Sequence, residues 1–408
     1  MEHTEQLFLQ ALRAALRGQT AEPAGDATEA DWQAVFALAQ THKVLPLVYE
    51  AVYPLPGLRG TAAAAAARRR VMGQVAVQTR KTAEFLALYR QLQAAGLQPL
   101  VVKGIVCRSL YPKPDLRPSG DEDLLAAPGT ADACRAVLEA YGLQAEPGTL
   151  DAYETAYRKP DGPLYVELHR SLFPPEAAAY GAWNRFFEDA FRRAVPQTLP
   201  GGTVYTLCPT DHLFYLLCHA FKHFLHSGVG IRQVCDILLF AERYAAQLDW
   251  ETIAANCRAI RAEGFAAALF CIGQEQLGVP LPAGLPPHWQ TLAGDTAPLL
   301  ADLLCSGLYG DSSVNPQHSS NITLNAVQAQ QSGKKAAGLA ASLFPAAQQL
   351  EGSYPYLKQH PWLLPAAWAQ RLWQYGTKTL AAPTSPAAAL KIGEERLELL
   401  RQYGVIDR

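Results

Sequence analysis

Two aspartates stand two residues apart in the segment Arg-Pro-Ser-Gly-Asp-Glu-Asp-Leu-Leu, where an apolar run begins. They are Asp121 and Asp123, and on a β-strand this spacing puts both side chains on one face. Two carboxylates held side by side repel each other unless a cation lies between them. The spacing therefore predicts a divalent-cation site at the start of this strand.

A third carboxylate, Glu167, lies in the alternating segment Leu-Tyr-Val-Glu-Leu-His-Arg at residues 164–170. Alternation of this kind predicts a strand with one buried and one polar face. The turn-forming residues Pro160, Asp161 and Gly162 precede it, so a hairpin with residues 152–158 is expected. If this strand lies beside the aspartate strand, the three carboxylates can hold two Mg²⁺ ions about 3.5–4 Å apart for nucleotidyl or phosphoryl transfer.

A basic residue and a glycine, Lys103 and Gly104, follow the apolar run that ends at Val102. A phosphate needs a cationic group and a backbone that it can approach closely. The short helix expected over residues 105–110 would offer its N-terminus to the same phosphate. Together with the carboxylates, this segment indicates a site for a divalent metal and a polyphosphate.

The order of these motifs resembles the uncharacterised nucleotidyltransferase family of the DNA polymerase beta nucleotidyltransferase superfamily. The resemblance rests on Lys-Gly, then Arg117, then Gly-Asp-x-Asp-Leu-Leu, then Glu-Leu-His, and extends to residues 41–47, 211–236 and 360–365. It implies that Asp121, Asp123 and Glu167 bind Mg²⁺. It further implies that Lys103 and Gly104 face a nucleoside triphosphate, the substrate, and that the acceptor is a small molecule, an RNA or a protein side chain.

Two departures from the superfamily pattern concern the same segment. The residue between the aspartates is usually apolar, but here it is Glu122, and Lys-Gly stands where many members have Gly-Ser. A buried carboxylate must be paired or neutralised, so Glu122 is expected either to pair with an arginine or to lie at a solvated edge. Arg117 is expected to contact a phosphate or to neutralise Glu122. The alternative is a catalytically degenerate nucleotide-sensing or protein-binding module on the same fold.

The surrounding pattern predicts an α+β protein with a small mixed-sheet core between helical regions. Residues 1–96 read as an N-terminal helical region that ends in one long Ala- and Arg-rich helix over 61–96. Residues 97–203 read as the nucleotidyltransferase core, including a helix over 130–141 with Thr130 as its N-cap. Residues 204–408 read as a helical C-terminal domain. The polar segment 309–334 is expected to be a long loop, either a lid or a plain surface loop.

Three histidines, His219, His223 and His226, share one face of a predicted helix with Lys222. Histidines at i and i+4 can bind zinc, but the glutamate that would act as the base in His-Glu-x-x-His is missing. A zinc hydrolase is therefore the third hypothesis for function. The other interpretations are a polar face that closes over the nucleotide, in which Lys222 binds phosphate, and ordinary structural histidines.

Composition narrows the class of partner. A net charge of −2 and a pI near 6.6 make nucleic acid an unlikely partner and favour a small-molecule or protein acceptor. The eight cysteines contain no Cys-x-x-Cys pair and are expected to be reduced thiols. With no signal peptide and no apolar run long enough for a membrane span, a cytoplasmic protein is expected.

Overall fold

The computed structural model describes residues 1–22, 25, 27–149, 153–226, 228–306, 354–358, 360–370 and 396–407. The loop expected over 309–334 lies outside the described residues. No helix in these ranges is long and apolar enough to cross a membrane.

The N-terminal region is helical, as the sequence predicts. Its helices are α1 (His3–Leu16), α2 (Glu29–Thr41), α3 (Leu45–Val52) and α4 (Ala62–Ala94). The 33-residue α4 confirms the long helix, and Thr61 caps it by accepting a hydrogen bond from the Ala64 amide at 3.2 Å. Its buried residues from Phe85 to Leu92 share a hydrophobic cluster with the sheet, whereas Ala63, Ala67 and Val71 pack with the other N-terminal helices.

The described residues form a seven-stranded mixed sheet in the order β3-β4-β5-β2-β1-β7-β6. The strands are β1 (Leu100–Val101), β2 (Glu122–Leu125), β3 (Gln144–Ala145), β4 (Glu154–Arg158), β5 (Tyr165–His169), β6 (Val195–Leu199) and β7 (Gly202–Thr206). Strand β2 runs parallel to β5, β1 runs parallel to β7, and the other neighbours are antiparallel. The hairpin expected before Glu167 is the β4–β5 pair.

The two faces of the sheet have different chemistry. Leu124, Val166 and Leu168 face a core that α4 completes with Phe85 and other residues, together with the helix α6 (Ala131–Ala140). Asp123 of β2, together with Glu167 and His169 of β5, turns to the opposite face. This alternation confirms the strand predicted over 164–170 and places its polar side chains on one surface.

The C-terminal half of the described chain is helical and shares one hydrophobic cluster with the N-terminal helices. Its helices include α7 (Pro209–His226), α8 (Ile231–Arg243), α9 (Trp250–Ala259), α10 (Glu263–Leu277), α11 (His288–Leu292) and α12 (Ala297–Ser306), and the short α5 (Ile105–Arg108) follows β1. Phe8 of α1, Phe221 of α7 and Phe265 of α10 belong to the same cluster. The fold is α+β, as predicted.

Two local expectations differ from the structure. Thr130 does not cap α6, because its hydroxyl donates to the Ala127 carbonyl at 2.8 Å and its backbone has a helix-like ψ of −2°. The sheet also extends past residue 203, since β7 ends at Thr206 and pairs with β1. The division of the chain at residues 96 and 203 stays a prediction.

Candidate active site

Asp123 and Glu167 are neighbours across two parallel strands. The register pairs Asp123 of β2 with Glu167 of β5, and Leu125 with His169. Paired residues in a sheet point to the same face, so the two carboxylates and His169 converge. One ligand atom from each of the three lies within 4.8 Å of the others. His169 Nε2 lies 3.3 Å from Asp123 Oδ1 and 3.7 Å from Glu167 Oε2.

The two carboxylates experience opposite electrostatic environments. Burial and the nearby charges of Asp123 and Asp121 raise the pKa of Glu167 to about 7. Burial alone would raise the pKa of Asp123. The Lys103 ammonium and the hydrogen bond from His169 have a larger opposite effect, so the pKa of Asp123 lies below its usual range. Asp123 is therefore a charge-compensated carboxylate, whereas Glu167 lacks sufficient positive charge nearby.

Asp121 lies immediately before β2 and outside the group of three. Its charge nevertheless contributes to the raised pKa of Glu167. In its place, the structure brings His169 to the carboxylate pair. The alternation of β5 already puts His169 on the face of Glu167, so the signal for its position is present in the sequence.

Lys103 lies beside Asp123 at the end of β1. Its Nζ is 2.9 Å from Asp123 Oδ1 and 3.0 Å from His219 Nε2 on α7. Burial lowers the pKa of Lys103, but Asp123 and its neighbours more than offset this and raise it well above its ordinary value. Burial and the Lys103 charge lower the pKa of His219. A charged Lys103 thus donates to a neutral His219, and α7 faces the carboxylates.

Glu122 points away from the cluster and is fully buried beneath Gly104. Its Oε2 accepts a hydrogen bond from the Ile105 amide at 2.7 Å, and its Oε1 pairs with Arg108 Nη1 at 2.6 Å. Gly104 has a φ of +54°, and a Cβ at this position would lie 2.0 Å from Glu122 Oε2. The predicted pairing of Glu122 with an arginine is confirmed. Glycine is required at position 104 because the backbone has a positive φ and because a side chain there would clash with Glu122.

The loop before Asp121 is held by α4. Lys81 is buried and donates through Nζ to the carbonyls of Ser119, at 3.1 Å, and Gly120. The Gln78 amide oxygen accepts from the Ser119 backbone at 2.9 Å. Sequence reasoning missed Lys81 and Arg108. The helical spacing of Lys81 with Phe85, a buried apolar residue, was the available signal.

Arg117 is buried in an ion pair with Asp236 of α8. Its Nε donates to Asp236 Oδ1 at 3.0 Å, and Tyr111 Oη donates to the same oxygen at 2.8 Å. Arg232, also on α8, donates to the Pro118 carbonyl. The acidic partner of Arg117 is therefore Asp236, and Arg108 is the arginine that compensates Glu122. These contacts fix the loop that leads to Asp121.

Lys222 and the remaining histidines of α7 border the site. Burial and the charge of Lys103 lower the pKa of Lys222, whose Nζ lies 5.9 Å from the centre of the Tyr180 ring. His223 Nε2 lies 3.3 Å from His219 Nε2, whereas His226 Nε2 is hydrogen-bonded to Tyr180 Oη at 2.8 Å. His226 thus lies apart from the other two, and among the described residues these histidines form no group of three ligands that could hold a metal ion.

The group of Asp123, Glu167 and His169 fits a divalent cation. Asp123 Oδ2 is buried and has no hydrogen-bond partner, and the ionised form of Glu167 is disfavoured until a positive charge arrives. Carboxylate oxygens suit Mg²⁺ and Mn²⁺, and an imidazole adds affinity for transition metals. Among the described residues this is the only group of three or more such side chains compatible with a metal ion.

Comparison with known proteins identifies the family of the chain. A model of the family described as "Uncharacterised nucleotidyltransferase" matches residues 28–278, more than half of the 408-residue chain. The match includes α4, the whole sheet and the helices α7 to α10. No curated protein and no solved structure matches the chain. The chain belongs to the uncharacterised nucleotidyltransferase family.

Proposed function

We propose that this protein is a Mg²⁺-dependent nucleotidyltransferase that moves a nucleoside monophosphate from a nucleoside triphosphate to a hydroxyl or another nucleophile. The observation that carries the proposal is the paired register of Asp123 and Glu167, with one buried carboxylate oxygen left without a partner. Membership of a nucleotidyltransferase family supports the same reaction class.

The roles follow from the contacts. Asp123 and Glu167 would hold the metal with the help of Asp121 or His169, and a bound Mg²⁺ would neutralise charge on the phosphates. Lys103 lies at the edge of this group, beside Gly104 and the start of α5. Lys103, Gly104 and Lys222 would bind the triphosphate. Arg117 would support this binding by fixing the adjoining loop.

The chain's own acid–base chemistry centres on Glu167. The strand register places this carboxylate beside Asp123, where it would lie next to both the bound metal and the proton of an acceptor hydroxyl. The acceptor oxygen would form a bond to the α-phosphorus, its proton would pass to Glu167, and the bond to pyrophosphate would break. Positioning and charge stabilisation are the main contributions that a protein makes to such a transfer.

Mass spectrometry of candidate acceptors tests the proposal. Small molecules and proteins are incubated with the four nucleoside triphosphates and Mg²⁺, and each is examined for the added mass of a nucleoside monophosphate. Asp123→Asn should abolish the adduct. An adduct that forms equally in a variant with both Asp121 and Asp123 replaced by asparagine would rule out this site.

A second candidate is a nucleotide-sensing or protein-binding module without turnover. The observation that favours it is the Lys103–Asp123 ion pair, which engages one oxygen of a proposed metal ligand. Calorimetric titration with ATP or GTP, with and without Mg²⁺, separates the candidates when combined with an assay of turnover. Binding that is independent of Mg²⁺ and is never followed by pyrophosphate release would favour the sensing module.

The remaining parts of the proposal concern the partners and the compartment. The acceptor is proposed to be a small molecule or a protein, because the net charge of −2 offers no general attraction to nucleic acid. No disulfide links the eight cysteines, all of which lie in the described ranges. This thiol state supports a reducing compartment such as the cytoplasm.

A further inference from the structure

Lys103 is held beside Asp123 from two directions. The Val102 amide donates to the Asp123 carbonyl at 3.1 Å, so the chain leaves β1 next to this aspartate. The Lys103 ammonium then contacts Asp123 Oδ1 at 2.9 Å and His219 Nε2 at 3.0 Å. A lysine that only reached out to a bound phosphate would not need a partner on each side.

His219 acts as a positioning residue in this arrangement. Its Nε2 faces Lys103, and the His223 Nε2 and Gln233 Nε2 atoms surround the same ring at 3.3 and 3.4 Å. The His223 atom lies against Nε2 and the Gln233 atom against Nδ1, so these contacts restrict the imidazole beside the Lys103 ammonium. The long, flexible lysine side chain is thereby held in one place, where its charge is fixed at Asp123.

The charges of the site also bear on how many cations it can accept. Lys103 already supplies a positive charge at Asp123 Oδ1 before any metal binds. Only one oxygen of Asp123 is without a partner, because the other contacts Lys103. A second ion shared by the same carboxylates would have to displace the ammonium.

We propose that the Lys103 ammonium takes the position of a second cation, so that the site binds one divalent ion instead of two. This inference rests on the proposed function, since it concerns the cations that accompany the nucleotide. The ion would be held through Asp123 Oδ2 and Glu167, and Lys103 would supply the fixed positive charge on the other side of Asp123.

Counting bound Mn²⁺ by electron paramagnetic resonance tests this. The chain is saturated with α,β-methylene-ATP, a non-transferable analogue, and titrated with Mn²⁺. Two ions about 3.5–4 Å apart are magnetically coupled, whereas a single ion gives an uncoupled six-line spectrum. The wild-type complex should bind one uncoupled Mn²⁺ per chain, and Lys103→Ala should bind two coupled ions.

Two further variants complete the test. Lys103→Arg keeps the positive charge and should bind one Mn²⁺. Lys113→Ala removes an exposed lysine that pairs with Glu50 and should also bind one. A coupled pair in the wild-type complex, or one ion in a folded Lys103→Ala, overturns the inference. If Lys103→Ala fails to fold, the wild-type and Lys103→Arg counts decide the matter.

The number of bound Mn²⁺ ions and the nucleotidyl transfer are tested independently. Pyrophosphate release with Mg²⁺ and transferable triphosphates is measured on the same preparation. Transfer together with two coupled Mn²⁺ ions would refute the single-ion site and leave the nucleotidyltransferase intact. One Mn²⁺ per chain without any transfer would support the role of Lys103 and refute the enzymatic proposal.

Discussion

Replacing Glu167 with glutamine should stabilise the metal-free protein, and the gain should grow with pH. The pKa of Glu167 is raised from 4.5 to about 7, primarily by burial and then by Asp123 and Asp121. At about 1.4 kcal/mol per pKa unit, ionising Glu167 costs roughly 3 kcal/mol more in the folded than in the unfolded chain. Its side chain is 22% exposed, so solvent screens this cost only in part.

The sign follows from proton binding. Between about pH 4.5 and 7 the folded chain binds more protons at Glu167 than the unfolded chain, so the free energy of unfolding falls as pH rises. Below this window Glu167 is protonated in both states and resembles glutamine. The advantage of Glu167→Gln should therefore be near zero at pH 4.5 and reach its full value above pH 7.

Urea unfolding in EDTA, followed by tryptophan fluorescence at several pH values, measures this difference. The matched control is Glu139→Gln, which changes an exposed glutamate on α6 and should give no comparable pH dependence. Mg²⁺ should stabilise the wild type at pH 8 more than it stabilises Glu167→Gln. A Glu167→Gln variant that is less stable than the wild type at pH 8 without metal would refute the reasoning.

Three further substitutions test the supporting contacts. Arg108→Met should destabilise the fold by about 3–5 kcal/mol in urea unfolding because it leaves Glu122 buried and unpaired, and adding Glu122→Gln should recover part of the loss. Gly104→Ala should lower stability by at least about 1–3 kcal/mol, since alanine is strained at a φ of +54° and its Cβ meets Glu122; unchanged unfolding would contradict this. Lys222→Ala should weaken ATP binding by about 1–3 kcal/mol in calorimetry, and unchanged affinity would remove Lys222 from the site.

The sequence predicts the elements of the site well because its polar residues follow strand periodicity. Alternation in residues 164–170 is enough to put Glu167 and His169 on one face, and the hairpin before it follows from the Pro-Asp-Gly turn. The helical regions and the long α4 are likewise predicted from the spacing of apolar residues and from helix propensity. These are local signals, and the structure agrees with them.

The pairing of charges depends on tertiary contacts and could not be derived in the same way. Arg108 compensates Glu122 because α5 lies against the first residue of β2, and Asp236 contacts Arg117 from more than a hundred residues away. The partner of Lys103 likewise depends on how α7 packs on the sheet. The sequence shows which residues carry charge. The oppositely charged residue that each one contacts depends on the tertiary structure.

The most direct test of nucleotidyl transfer compares ATP labelled at the α-phosphate with ATP labelled at the γ-phosphate. Each is incubated with Mg²⁺, the wild-type chain and a mixture of small-molecule and protein acceptors, alongside Asp123→Asn as the matched control. The account predicts that the α label becomes attached to an acceptor and that the γ label is released as pyrophosphate, with neither event in Asp123→Asn. Attachment of the γ label, or equal α-label transfer by Asp123→Asn, would contradict it.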